Sequence, residues 1–153
     1  MIAALCAGGV AAAGPKLLEP ERAFAFSVQA LDEQTIEARF SIAGGYYLYR
    51  EKLRFTVEPG ALASAPSLPA GKIKDDEFFG KVETYRGQLA VKLALQQPAP
   101  GSSIVVRAES QGCADAGVCY PPQVQNITVK LPLPGTPPGA PVAATPPRKS
   151  WFN

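Results

Sequence analysis

Thr35-Ile36-Glu37-Ala38-Arg39-Phe40-Ser41-Ile42 decides the fold class. Ile36, Ala38, Phe40 and Ile42 fall on one side of an extended chain, and Thr35, Glu37, Arg39 and Ser41 on the other. This period of two is that of a strand with one buried face. The pattern recurs at Phe24, Phe26 and Val28; at Leu89, Val91, Leu93 and Leu95; at Ile104, Val106 and Ala108; and at Ile127, Val129 and Leu131. Turn signals lie between these segments: Ala43-Gly44-Gly45, Glu58-Pro59-Gly60, Arg86-Gly87 and residues 98–102. No window carries a long 3.6-residue period. The expectation is an all-β protein, two packed antiparallel sheets forming an immunoglobulin-like β-sandwich. The Cys-Trp-Cys core signature of antibody domains is missing, because the single Trp is Trp151, in the tail.

The chain has 153 residues, enough for one domain with a substantial core. Its net charge of +2 gives no argument for nucleic acid or an anionic membrane surface, and its Lys and Arg residues are scattered. There is no His. A Ser-His-Asp triad or a Cys-His pair therefore cannot be built, and an autonomous hydrolase has no catalytic motif to work with. Three cysteines, one of them in the N-terminal stretch, are too few for a structural zinc site, and Met1 as the one Met argues against a copper module. No cofactor is expected beyond a reversible disulfide.

Residues 1–14, MIAALCAGGVAAAG, read as the remnant of a secretory signal peptide, with Ala11 and Ala13 suiting an A-x-A cleavage site but no charged n-region. Cys6 belongs to this stretch; Leu5 before it is a poor match to the small residue that a lipoprotein anchor needs. No run of 18 apolar residues predicts membrane insertion by this segment. Residues 15–133 are expected to form the folded domain. Residues 134–153, within a Pro-, Gly- and Ala-rich tail that begins at Pro132, read as an extended linker. Export implies an oxidising compartment, where a disulfide persists.

Removal of the signal leaves Cys113 and Cys119, in Gln111-Gly112-Cys113-Ala114-Asp115-Ala116-Gly117-Val118-Cys119-Tyr120-Pro121-Pro122. Five intervening residues allow the sulfurs to meet, and Gly112 and Gly117 can supply positive φ if the turn requires it. Closing so short a loop restricts the unfolded chain by about 2.4 kcal/mol for roughly seven residues. Spacing leaves two readings open: a stapled hairpin tip in a secreted binding module, or a redox pair that works by thiol–disulfide exchange. No Lys, Arg or His lies within the loop to lower a thiol pKa, and Asp115 would disfavour a thiolate.

The segment QGCADAGVCYPP closely resembles the active-site segment of the N-terminal periplasmic domain of the bacterial thiol:disulfide interchange protein DsbD. Gly45-Tyr46-Tyr47-Leu48-Tyr49 is similar to the GYYLY element of that family, and Asp76-Glu77-Phe78-Phe79-Gly80 with Tyr85-Arg86-Gly87 to its cap-loop region and following strand. The likeness runs in the family's order over residues 18–133.

The resemblance implies a sandwich with the redox pair near one end, working as a protein-disulfide reductase within a larger relay. A linker would lead on to a membrane-embedded domain and a thioredoxin-like C-terminal domain, so the location implied is the periplasm, as a domain of an inner-membrane protein. Electrons would arrive from the thioredoxin-like domain. They would leave to a periplasmic disulfide isomerase and a thioredoxin-like protein of cytochrome c maturation. Cys119 would form the mixed disulfide and Cys113 resolve it; the loop's own residues, with no cation and with Asp115, predict thiols that are sluggish outside a partner complex. Phe78 would be the cap over the sulfurs and Phe79 a packing residue; without the resemblance both read as core. Asp76 and Glu77 would be either a solvated loop edge or an influence on thiol protonation. Tyr47 and Tyr49, two apart and so on one face of a strand, would lie near the disulfide with hydroxyls reaching Asp or backbone groups. Tyr120 would shield the pair or contact a partner.

Overall fold

The computed structural model describes residues 16–145. The signal-like segment, Cys6 and Trp151 lie outside the described residues. A short helix, α1 (Pro20–Ala23), leads into β1 (Phe24–Ala30), β2 (Thr35–Ile42), β3 (Tyr46–Tyr49), a 3-10 turn (Arg50–Lys52), β4 (Arg54–Glu58), β5 (Ala61–Leu62), β6 (Lys72–Asp76), β7 (Gly80–Tyr85), β8 (Gln88–Gln96), β9 (Ser103–Ser110), β10 (Gly112–Ala114), β11 (Val118–Cys119), β12 (Gln123–Lys130) and β13 (Val142–Ala143). The five alternating segments of the sequence are β1, β2, β8, β9 and β12, and the apolar residues named for each are buried.

The strands form antiparallel sheets in the orders β13-β1-β2-β8-β5, β12-β9-β4 and β11-β10-β3-β7-β6. The first two enclose the main core. Phe55 of β4 meets Phe26 and Phe40 of the opposite sheet at ring centroid distances of 6.5 and 6.4 Å, the interdigitation of a sandwich. The third sheet grows out of the second. β9 continues through Gln111 into β10, and β3 continues through the 3-10 turn into β4, so one strand pair passes from sheet to sheet: Arg54 faces Glu109, and Leu48 faces Gly112. The Tyr49 N–H bonds the Gln111 carbonyl at the bend, at 3.0 Å.

In the third sheet, where this pair is β3 and β10, it is buried on both faces, which erases polar alternation. All four residues of β3 are buried. Tyr46 and Leu48 point into the main core, whereas Tyr47 and Tyr49 join Val82 and Cys113 in a second, smaller cluster against which Cys119 packs. Gly112 of β10 is required by close approach rather than by positive φ. A Cβ there would lie 2.3 Å from the Tyr47 carbonyl oxygen and 2.6 Å from the Phe24 ring. Gly117, at φ +94°, does supply the left-handed turn.

Part of the stretch read as a linker lies along the sheet. Val142 and Ala143 pair with Val28 and Ser27, the Gly139 N–H bonds the Ala30 carbonyl, and the Ala144 N–H bonds that of Phe26. Pro and Gly prevent a packed core here but do not prevent a short edge strand.

Candidate functional site

Cys113 and Cys119 face each other across the β10–β11 hairpin and form a disulfide, with Cα atoms 4.0 Å apart. The Tyr120 N–H donates to the Gly112 carbonyl beside them, and the Gly117 N–H closes the tip on Ala114. The two sulfurs are not equivalent. Cys113 is 1% exposed, inside the second cluster, whereas Cys119 is half-buried at the rim.

Alternation along β3 sends Tyr47 and Tyr49 to the face that carries the disulfide. The Tyr49 hydroxyl lies 3.0 Å from Cys113 Sγ and 3.8 Å from Cys119 Sγ. It donates to Asp76 Oδ2 at 2.7 Å, and Tyr47 donates to the same oxygen at 2.9 Å. Asp76 Oδ1 accepts the backbone N–H groups of Phe78 and Phe79 at 2.8 and 3.1 Å. One carboxylate thus ties the β6–β7 turn to the tyrosines and, through Tyr49, to the sulfur. Asp76 is only 6% exposed. Burial alone would raise its carboxyl, but these hydrogen bonds, led by that from Tyr49, hold it below the usual carboxylate range. Burial, and then the bond to Asp76, push both tyrosine hydroxyls up, so they stay protonated donors.

Of the two readings of Asp76, the solvated loop edge does not hold; Glu77 beside it is exposed. Phe79 packs edge-on against Tyr49 at 5.1 Å, with the Lys52 ammonium 5.2 Å from its ring centroid, although it remains 49% exposed. Phe78 is 58% exposed on the same turn.

Tyr120 does not shield the sulfurs. It follows Cys119 and so points to the other face, where its ring meets Phe24 at 5.7 Å and Tyr46 at 6.3 Å. Its hydroxyl donates to the Leu18 carbonyl, and burial pushes it up to about 12. Asp115 is not a free negative charge beside the thiols either. It makes a two-pronged ion pair with Arg86, at 2.7 and 3.0 Å, which holds its carboxyl below the usual range. Arg86 stands next to the Gly87 turn, and sequence distance conceals its approach to the loop.

Among the described residues, no group of three or more His, Cys, Asp or Glu side chains is placed to hold a metal ion. No helix among them is long and apolar enough to cross a membrane.

Residues 14–131 match the family described as "Thiol:disulfide interchange protein DsbD, N-terminal". The chain is 44% identical to the thiol:disulfide interchange protein DsbD of Ralstonia nicotianae over 137 residues, which are 88% of this chain and 22% of that protein. It is 46% identical to DsbD 2 of Pseudomonas aeruginosa over 80% of this chain and 19% of that protein. The chain thus spans about a fifth of these relatives. Among solved structures it is similar to the reduced DsbD N-terminal domain of Neisseria meningitidis, with TM-score 0.72, 31% identity and coverage of 84% of this chain and 96% of that one. It is also similar to a chain in the complex between the DsbD and PilB N-terminal domains of that organism, with TM-score 0.64, 33% identity and coverage of 83% and 94%. With matches of this extent, the chain belongs to the family of DsbD N-terminal domains.

Proposed function

We propose that this domain passes electrons between protein partners through the Cys113–Cys119 pair, as one periplasmic module of an inner-membrane protein. The observation that carries the assignment of roles is the unequal exposure of the sulfurs. In the reduced domain the Cys119 thiolate attacks a partner disulfide; a Cys119–partner disulfide forms and the partner's other sulfur leaves as a thiolate. The Cys113 thiolate then attacks Cys119 Sγ, closing the internal disulfide and releasing the second partner thiolate. The domain loses two electrons and the partner gains them. Reduction of the domain reverses these steps, with attack on Cys119 by a donor thiolate.

A thioredoxin-like C-terminal domain of the same protein is the proposed donor. A disulfide isomerase and a thioredoxin-like protein of cytochrome c maturation are the proposed acceptors. The Neisseria complex of a DsbD N-terminal domain with a PilB domain supports a protein, rather than a small molecule, as partner. Phe78 is the proposed cap: its turn is tied to Asp76, the carboxylate that also holds Tyr49 beside the sulfurs, and its exposed ring is free to move when a partner docks. Family membership speaks against a binding module with a purely structural disulfide.

The test is to mix the oxidised domain with a reduced thioredoxin-like protein and count free thiols under native conditions. The native domain should gain two thiols. Challenged instead with the oxidised thioredoxin-like protein, Cys113→Ala should trap a mixed disulfide at Cys119, and Cys119→Ala should trap none. A folded domain whose pair stays oxidised would overturn the proposal.

A further inference from the structure

Arg86 belongs to the β7–β8 turn, yet it reaches three parts of the site. Its Nη1 and Nη2 atoms take the two oxygens of Asp115 at 3.0 and 2.7 Å. Nη1 also donates to the Tyr46 carbonyl at 3.3 Å. The guanidinium lies 5.1 Å from the centroid of Tyr47, a ring that also carries Lys74 at 5.2 Å. Asp115 in turn is two residues from Cys113, and its backbone N–H donates to the Gly45 carbonyl at 2.8 Å. The tip of the redox hairpin is thereby fixed to the β2–β3 turn by backbone and to the β7–β8 turn by side chain.

Both partners are nearly half exposed, so the pair adds little to global stability. Its consequences are local. The planar fork fixes Asp115 in two dimensions, which a lysine could not do. It also cancels the loop's own negative charge close to where a thiolate must form.

We propose that Arg86 and Asp115 are positioning residues for thiol–disulfide exchange, a charge-compensated clamp that orients the Cys113–Cys119 hairpin and keeps the loop carboxylate from opposing the thiolate. The proposal rests on the redox reading of the pair. The polar and charged groups around the cluster that holds the sulfurs are Tyr47 and Tyr49 of β3, Lys52 of the 3-10 turn, Lys74 and Asp76 of β6, Arg86, and Asp115 on the hairpin itself. Lys74 also acts on Asp115 through its charge. Asp76 keeps its hydrogen bonds whichever member of the clamp is removed, so its influence is a constant background.

The experiment follows alkylation of the reduced chain by iodoacetamide against pH, for the native sequence, Arg86→Gln, Asp115→Asn, the double variant and Arg86→Lys. Arg86→Gln frees the carboxylate and should move the midpoint up by about half a pH unit; Asp115→Asn frees the guanidinium and should move it down by a similar amount. The double variant should return near the native midpoint. Arg86→Lys should keep the midpoint but, lacking the fork, exchange several-fold more slowly with a thioredoxin-like protein. A purely structural role would move both single variants in one direction. Shifts of the same sign, or no shift in folded variants, would overturn the clamp. The alkylation titration needs no protein partner, so its result is separate from whether the pair exchanges at all.

Discussion

At the residue scale, Asp76 is the group on which the site turns, because it accepts four hydrogen bonds, two from β3 and two from the β6–β7 turn. Tyr49→Phe removes one of these and the only hydroxyl described in contact with both sulfurs. Urea unfolding of the oxidised variant should show a loss of about 1–3 kcal/mol, the cost of a buried charged acceptor losing a donor. Asp76→Asn tests the charge itself. The folded carboxyl titrates below its unfolded counterpart. Its stabilisation is therefore whole above the unfolded value of about 3.9 and is lost as pH falls through the lower folded value. The variant should be less stable at neutral pH and show a shallower acid limb below about pH 4. Some limb should remain, because Asp32, Glu83 and Asp115 are also lowered. Phe78→Ala probes the cap. Reduction of the folded oxidised domain by dithiothreitol should become several-fold faster with unfolding stability nearly unchanged, since the ring is mostly exposed; an unchanged rate would dismiss the cap.

At the scale of elements, legibility followed solvent. β1, β2, β8, β9 and β12 each have one wet face, so their alternation was visible in the sequence. β4, Arg-Phe-Thr-Val-Glu, carries the same signal in a shorter window. β3 and β10 lie between two apolar clusters and have no polar face to reveal them. The cysteines, tyrosines and Asp76 were legible through their resemblance to a family. The burial of Asp76, the turn of Tyr120 away from the sulfurs and the reach of Arg86 to Asp115 depend on register between distant strands, which local pattern does not carry. Gly112 makes this concrete. As a loop glycine it suggests a turn; as a strand residue it allows β10 to approach Tyr47 and Phe24. Gly112→Ala should cost more than about 2 kcal/mol, because backbone and a packed ring must both shift. Gly44→Ala, with nothing within 4 Å of the added Cβ, should be nearly neutral, both variants being compared by urea unfolding.

At the scale of the whole molecule, the C-terminal stretch determines whether the sandwich has a bare edge. β1 pairs with β2 on one side, and its other side is covered by β13, with further bonds from Gly139 and Ala144. The Gln29 side chain adds a bond to the Gly139 carbonyl at 3.0 Å. An uncovered β1 would present a row of unpaired backbone groups to another chain. The short β13, in a segment whose prolines limit further pairing, blocks that edge without offering a long new one. Truncation after Leu133 should therefore do two things. It should lower the melting temperature by a few degrees, the equivalent of about 1–2 kcal/mol in a domain of this size. It should also speed hydrogen exchange at the β1 amides that face β13, while those facing β2 keep their protection. Sedimentation of the truncated domain should show association that grows with concentration, absent in the longer chain. Unchanged exchange along residues 26–30 would mean that the stretch acts only as a tether. Protection lost without association would mean that β13 stabilises β1 but is not what keeps the edge from pairing.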